Sequence, residues 1–215
     1  VPSSSVSEIL DVVIVGVGAA GLSAALVLRR CLRRVLVCDA GSPRNAPARI
    51  FNGYLSRDGS TPGEFLQIGR DQLQRYETVE LRQAKVTHAE RGDRRFTVTL
   101  ESGERIDSRL LLLATGLVDE LPQIEGFMKF YGKTAHNCPY CDAWEQQLGC
   151  EFCAEDGCIQ CDEKAATCIP GLYAAGNASR GVQLVIAAAA EGTLAAVAMN
   201  NALVEADAES GALGA

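Results

Sequence analysis

Three short, wholly apolar runs punctuate this chain: Val12–Val15 closing at Gly16, Val35–Cys38 closing at Asp39, and Leu110–Ala114 closing at Thr115-Gly116. Runs of this length with no polar face predict strands buried inside a sheet. Between the first two, Leu22 to Arg30 has the character of a helix. After Asp39, residues 40–62 form a loop rich in Gly, Pro, Arg and Asn, long enough to favour wrapping a ligand. Thr61-Pro62 predicts a helix start, with Thr61 as N-cap, Pro62 in the first position and Glu64 in the first turn. Phe65, Ile68, Leu73 and Tyr76 then mark a helical face. Alternating segments follow at 79–81, 85–89, 95–100 and 105–107, with Ser102-Gly103 as a hairpin signal between the last two. Together they predict a small antiparallel excursion. The chain ends in a helix expected from about Arg180 to Leu203, with Val182, Val185, Ile186, Ala189, Thr193, Ala196 and Val197 as its buried stripe.

The turn after the first run reads Gly16-Val-Gly18-Ala-Ala-Gly21, and a helix follows at once. A strand feeding Gly-x-Gly-x-x-Gly and then a helix is a dinucleotide fingerprint. Gly16 permits the tight turn, Gly18 lets a pyrophosphate approach the backbone, and Gly21 lets helix pack on strand. The helix N-terminus then faces the phosphates with free N–H groups and its positive dipole end. The second run ends in an acid, Asp39, 23 residues after Gly16, against roughly 20 in such folds. A carboxylate there accepts hydrogen bonds from ribose hydroxyls and repels a 2′-phosphate, which favours FAD or NAD over NADP. The plain alternative is a glycine-rich βαβ turn with no ligand.

Of 215 residues, 47% are apolar and 22% charged, as in an ordinary globule. A net charge of −7 without a basic tract argues against nucleic acid and anionic membranes as partners. No apolar run is long enough to span a bilayer. The opening Val1-Pro-Ser-Ser-Ser lacks the basic and apolar regions of a signal peptide, so a cytoplasmic location is expected. Nine cysteines, several in Cys-x-x-Cys spacing, point to redox or metal chemistry rather than a secreted disulfide framework.

Several motifs in order carry a family likeness: Gly16–Gly21, Asp39, Pro43-Arg44-Asn45-Ala46-Pro47, Ala114-Thr115-Gly116, Cys138-Pro-Tyr-Cys141-Asp142, Gly171-Leu-Tyr-Ala-Ala-Gly176-Asn177 and Gln183. The chain resembles the low-molecular-weight thioredoxin reductases and their relatives, the FAD-dependent dithiol oxidases. The resemblance implies an α/β fold, a GR2-like FAD-binding Rossmann-type domain with a parallel central sheet, one βα crossover and the antiparallel excursion. It implies FAD held by Gly16, Gly18, Ala20, Gly21, Asp39, Ala40, Arg44, Asn45, Val86, Ala114, Thr115, Gly116, Gly176, Asn177 and Gln183. The final helix would aim its N-terminus at the flavin pyrimidine edge, where its dipole favours negative charge. By the same resemblance Cys141 faces the flavin, Cys138 exchanges with the outside substrate, Asp142 handles the proton, and His136 is a second candidate base. A thioredoxin-like protein or a small dithiol or disulfide is the implied partner, and a homodimer the implied assembly.

Two departures stand out. The family usually has Asp where this chain has Asn177; a neutral amide still hydrogen-bonds, so weaker FAD retention is expected. The reductases also carry an NADPH-binding domain after Cys-x-x-Cys, whereas here about 25 residues separate Cys141 from Thr167 and no second Gly-x-Gly-x-x-Gly occurs. A βαβ unit takes roughly 30 residues or more. The expected organisation is one discontinuous FAD-binding domain, residues 1–137 and 165–215, with a cysteine-rich connection at 138–164 standing where the NADPH domain would be.

The spacing Cys138-Pro-Tyr-Cys141 suits a redox disulfide, because two thiols three residues apart at a helix start close a small ring and the dipole favours thiolate. Cys150–Cys153 and Cys158–Cys161 raise a rival: three such pairs close together could clamp zinc or an iron–sulfur cluster. The gap between the first two pairs is shorter than the 15–20 residues usual for a ribbon site, and Asp156-Gly157 reads as a hairpin turn. No metal ligands are assigned, and a metal-clamped or FAD-carrying binding module without turnover remains the alternative. Cys31 and Cys38 are expected to be buried small hydrophobes, and Cys168 structural.

Overall fold

The computed structural model describes residues 9–46, 48–50, 54–117, 149, 151, 158–179 and 184–211. The elements are β1 (Leu10–Val15), α1 (Ala19–Arg30), β2 (Val35–Asp39), α2 (Pro62–Gln74), β3 (Val79–Gln83), β4 (Val86–Arg91), β5 (Phe96–Leu100), β6 (Arg105–Leu113), β7 (Leu172–Ala174) and α3 (Val185–Glu209). The apolar runs become strands because both of their faces are covered. Val12 and Ile14, Val35 and Val37, and Leu110 and Leu112 point into one core with residues of all three helices. Val13 and Val15, Leu36 and Cys38, and Leu111 and Leu113 point into a second core with Phe96, Val98 and Leu100 of β5. A strand buried on both sides has no use for alternation.

Among the described residues the seven strands form one sheet, ordered β3-β2-β1-β6-β5-β4, with β7 on β6. Strand β1 pairs in parallel with β2 on one side and β6 on the other. Strand β6 holds the sheet together. Its first half pairs antiparallel with β5, from Arg105 to Ser108, and its second half pairs in parallel with β7, from Leu111 to Leu113. The strand and helix that follow residue 165 therefore complete the sheet and layer begun by β1 and α1.

The helix at Thr61-Pro62 forms as expected: the Thr61 side chain accepts from the Glu64 N–H, and the Glu64 carboxylate accepts in return from the Thr61 N–H at 2.9 Å. The β5–β6 hairpin turns at Gly103, where φ is +86°.

Other expectations are corrected. Segment 79–81 does not belong to the antiparallel excursion; as β3 it pairs in parallel with β2, because α2 crosses back over the sheet, so there are two βα crossovers here rather than one. Segments 105–107 and 110–114 are one strand. Its polar residues are satisfied in place: Asp107 accepts from the Thr97 hydroxyl at 2.7 Å, and Arg109 pairs with Asp11 and Asp207. Helix α1 starts at Ala19, and α3 runs on past Leu203 to Glu209. The α3 stripe is also rotated: Ala189, Gly192, Ala195, Ala196, Met199 and Leu203 face inward, while Ile186 and Val197 are exposed. Cys31 caps α1 at the surface, whereas Cys38 is buried and its thiol is pushed up to about 11 by that burial.

At the sheet end away from the glycine-rich turn, Asp207 of α3 bonds Arg33 at 2.9 Å and Arg109 at 2.6 Å, and Arg109 reaches Asp11 at 3.1 Å. This clasp ties the returning helix to β1 and β6. Hydrogen bonds from Arg33 and then Arg109 hold the Asp207 carboxyl below its ordinary range. A depressed folded pKa contributes stability that is present above the unfolded value and lost as pH falls through the folded one. Asp207→Asn is expected to lower stability by about 1 kcal/mol at pH 7, modest because the cluster is partly solvated. Urea unfolding of both proteins should show the difference shrinking as pH falls below about 4.

Candidate cofactor site

The three small-residue motifs converge at the carboxyl ends of the parallel strands. The Gly16 N–H donates to the Cys38 carbonyl at 2.9 Å, and the residue turns at φ +111°. A Cβ on Gly16 would collide with the carbonyl of Ala114, which follows β6 and donates its own N–H to Val15 at 2.9 Å. A Cβ on Gly21 would strike the carbonyl of Gly16. Gly176, at φ +75°, leaves room for only 2.9 Å between an added Cβ and the Ala20 Cβ, and Gly192 of α3 lies directly on the Ala20 backbone. Gly16, Gly21, Gly176 and Gly192 are thus wedged against neighbouring backbone and Ala20, with no space for a larger side chain.

Gly18 is different. A Cβ there would meet nothing within 4 Å. It is the N-cap of α1, extended at φ −81° and ψ −173°, with no side-chain cap and no acidic residue in the first turn. The first intrahelical bond is Leu22 N–H to Gly18 O at 3.0 Å, so the amides before Leu22 have no helical acceptor. Open space, uncapped N–H groups and a helix dipole make a cradle for a pyrophosphate. Gly116, at φ +70°, likewise borders open space, next to half-buried Thr115.

Asp39 ends β2 in the same row. Its Oδ1 accepts from the Gly41 N–H at 2.7 Å and its Oδ2 from Arg70 Nη2 at 2.7 Å. Ala40 is exposed beside it, and Arg44 and Asn45 stand half-buried in tight turns of the loop beyond. The Asp39 carbonyl accepts from the Ala84 N–H at 2.9 Å, so the link leading to buried Val86 passes the end of β2. Asn177 sits in a 3₁₀ turn, Gly176–Ala178. Glu191 of α3 anchors that turn, its Oε2 accepting from the Gly176 N–H at 2.9 Å. Residues 158–159 strap it from the other side: Cys158 Sγ donates to the Asn177 carbonyl at 3.7 Å and the Ile159 N–H to Ala178 at 2.8 Å.

The structure therefore brings together Gly16, Gly18, Ala20, Gly21, Ala114, Thr115, Gly116, Gly176 and Asn177, with Asp39 and Ala40 at the end of the neighbouring strand. Cys138, Cys141, Asp142, His136 and Gln183 lie outside the described residues, as do Pro47, Cys150, Cys153, the Asp156-Gly157 turn and Val182. Among the described residues no group of three His, Cys, Asp or Glu side chains stands close enough to hold a metal ion. Sequence reasoning missed Glu191 and Gly192. Glu191 is the one charged residue between Arg180 and Glu205, and a lone acid in an apolar helix is a signal that could have found it. Arg70 was missed too, and nothing in its sequence surroundings marks it.

An open sheet with parallel central strands and a glycine cradle where the strand order reverses, between β1 and β6, defines a dinucleotide-binding protein of the Rossmann type. Residues 10–151 match the family model described as pyridine nucleotide-disulphide oxidoreductase, and the chain belongs to that family. It is 36% identical over 143 residues to the "Probable thioredoxin reductase" of Arthroderma benhamiae, covering 64% of this chain and 35% of that protein. It is 36% identical over 152 residues to the thioredoxin reductase tcpT of Claviceps purpurea, covering 67% and 46%. The chain thus spans roughly a third to a half of the curated relatives it matches. Among solved structures, HlmI superposes with a TM-score of 0.89 at 28% identity, covering 95% of both chains. Proteins of this kind are FAD-binding flavoproteins, and the cradle over Gly18 fits the FAD pyrophosphate.

The glycines separate fold from ligand. Gly21→Val is expected to destabilise the protein by about 3 kcal/mol or more, since backbone blocks the new side chain. Gly18→Val should leave the thermal midpoint of the flavin-free protein nearly unchanged while crowding the phosphate space. Melting both variants without FAD, and assaying retained flavin in Gly18→Val, checks the pair; stoichiometric flavin in Gly18→Val would count against the cradle.

Proposed function

We propose that this protein is an FAD-dependent thiol–disulfide oxidoreductase of the thioredoxin reductase type, in which electrons pass between flavin and the Cys138/Cys141 dithiol. The observation that carries the reading is the open cradle over Gly18 at the uncapped start of α1, in a chain belonging to a disulfide oxidoreductase family. In this reading Gly16–Gly21 receive the pyrophosphate, Asp39 the adenosine ribose, Asn177 the ribityl chain, and Ala114–Gly116 the approach of the ring system. Ala40, Arg44, Asn45, Val86 and Gln183 line the remainder. Bound FAD supplies a two-electron acceptor. Oxidation of the dithiol forms the S–S bond and releases two electrons and two protons, with Asp142 or His136 taking a proton from the attacking thiol. Cys138 is the thiol that exchanges with a thioredoxin-like protein or a small disulfide, and Cys141 lies on the flavin side.

The domain arrangement follows. Residues 1–137 and 165–215 form one FAD-binding domain, and 138–164 stand in place of a nicotinamide domain, so this chain performs the flavin–dithiol half of the chemistry. Pairing of two copies is supported by a stripe along the outer side of α3, where Ile186, Leu194, Val197 and Val204 are exposed at helical spacing. A cytoplasmic location accords with many cysteines and no helix, among the described residues, long and apolar enough to cross a membrane.

The two thiols are expected to behave differently. Cys138→Ser leaves Cys141 unable to form the disulfide, so a long-wavelength thiolate–flavin absorbance band should persist without reductant. Cys141→Ser should lose that band while keeping FAD. A metal site predicts instead that both substitutions lower metal content and loosen the fold with the flavin spectrum unchanged. Identical spectra for the two variants, with stoichiometric metal in the wild type, would sink the assignment. NADPH added anaerobically should not bleach the flavin on the time scale of turnover.

A further inference from the structure

The acid that ends β2 is not alone. Asp39 and Arg70 meet at 2.7 Å, with side chains 21% and 31% exposed, and the second carboxylate oxygen is taken by the Gly41 N–H. Arg70 is held in place by two features of α2. The Thr61–Glu64 capping box fixes the start of the helix, and Gly69, the neighbour of Arg70, seats it on α1, where an added Cβ would stand 2.7 Å from Leu22 Cδ1. Because α1 also forms the phosphate cradle, the guanidinium has a set position relative to a bound nucleotide.

In dinucleotide sites of this fold, an acid at the end of the second strand accepts the ribose 2′-hydroxyl, and an arginine near the same spot accommodates a 2′-phosphate. This protein has both, bonded to each other. We infer that Asp39 and Arg70 act as one specificity device: the carboxylate takes the 2′-hydroxyl and also occupies the cation that would otherwise receive a 2′-phosphate. A guanidinium fork binds phosphate through paired N–H groups. With Asp39 in place, an incoming 2′-phosphate meets a negative charge and an arginine already engaged. Without that charge, Arg70 becomes a phosphate receptor at the same position. The inference rests on the dinucleotide reading of the site and adds Arg70 to it as a specificity-determining residue.

The test compares 5′-AMP with adenosine 2′,5′-bisphosphate, which differ only in the 2′-phosphate. Binding is measured by titration calorimetry on the full chain, depleted of flavin and checked for its ability to take FAD back. The wild type is expected to bind 5′-AMP at least tenfold tighter than the bisphosphate. Asp39→Asn should reverse that preference, Asp39→Asn/Arg70→Lys should keep part of the reversal, and Asp39→Asn/Arg70→Met should abolish it. Asp39→Ser also removes the charge and replaces Asp39→Asn should the latter not fold. If the charge-removed variant binds the bisphosphate no better than the wild type, or if Arg70→Met leaves the reversal intact, the inference is overturned. A wild type that binds FAD and 5′-AMP separates such a failure from failure of the dinucleotide reading. A wild type that binds neither overturns both.

Discussion

The close approach of three backbones around Ala20 is the constraint on which the rest of the structure depends. The turn after β1, the turn after β7 and the middle of α3 meet there, and each presents a glycine where any side chain would collide. Close-packed interiors have no slack for an extra methyl at such points. The crowding sets α3 against α1, and within the Gly16–Gly21 turn it leaves Gly18 bordering open space. Close packing and open space are thus allotted to different glycines of one motif.

The same junction joins the two ends of the sequence. β7 extends the sheet on the edge of β6 that β5 leaves free, and Glu191 fixes the following turn by its backbone. At the opposite end of the sheet, the Asp207–Arg33–Arg109–Asp11 clasp repeats the connection with charge instead of close packing. A helix gripped at both ends keeps its register, and that register positions Glu191 beneath the Asn177 turn. Whatever stands at 138–164, the domain is closed by contacts between residues before and after it.

Chemistry is distributed along the carboxyl edge of the sheet according to strand. The open glycine turn follows β1, Asp39 ends β2, and the small residues Ala114–Gly116 and Gly176 follow β6 and β7. Within the sheet the Cys38 thiol is unsuited to exchange: it is buried and pushed up to about 11, and a neutral thiol is a poor nucleophile.

The sequence by itself determined the strands buried on both faces, the glycine turn, the α2 cap and the order of motifs that marks the family. These are local patterns whose physical cause lies within a few residues, so no partner is needed to read them. It did not determine the direction of β3, because a short alternating segment looks the same whether its neighbour runs parallel or antiparallel. Nor did it determine the inward face of α3, which is apolar nearly all round and carries no periodic signal; the contact of Gly192 with Ala20 chose that face. The pairings Asp39–Arg70 and Glu191–Gly176 join residues remote in sequence or on separate elements. Only tertiary packing could decide them, because a side chain's partner is set by which elements lie side by side and not by its own position in the chain.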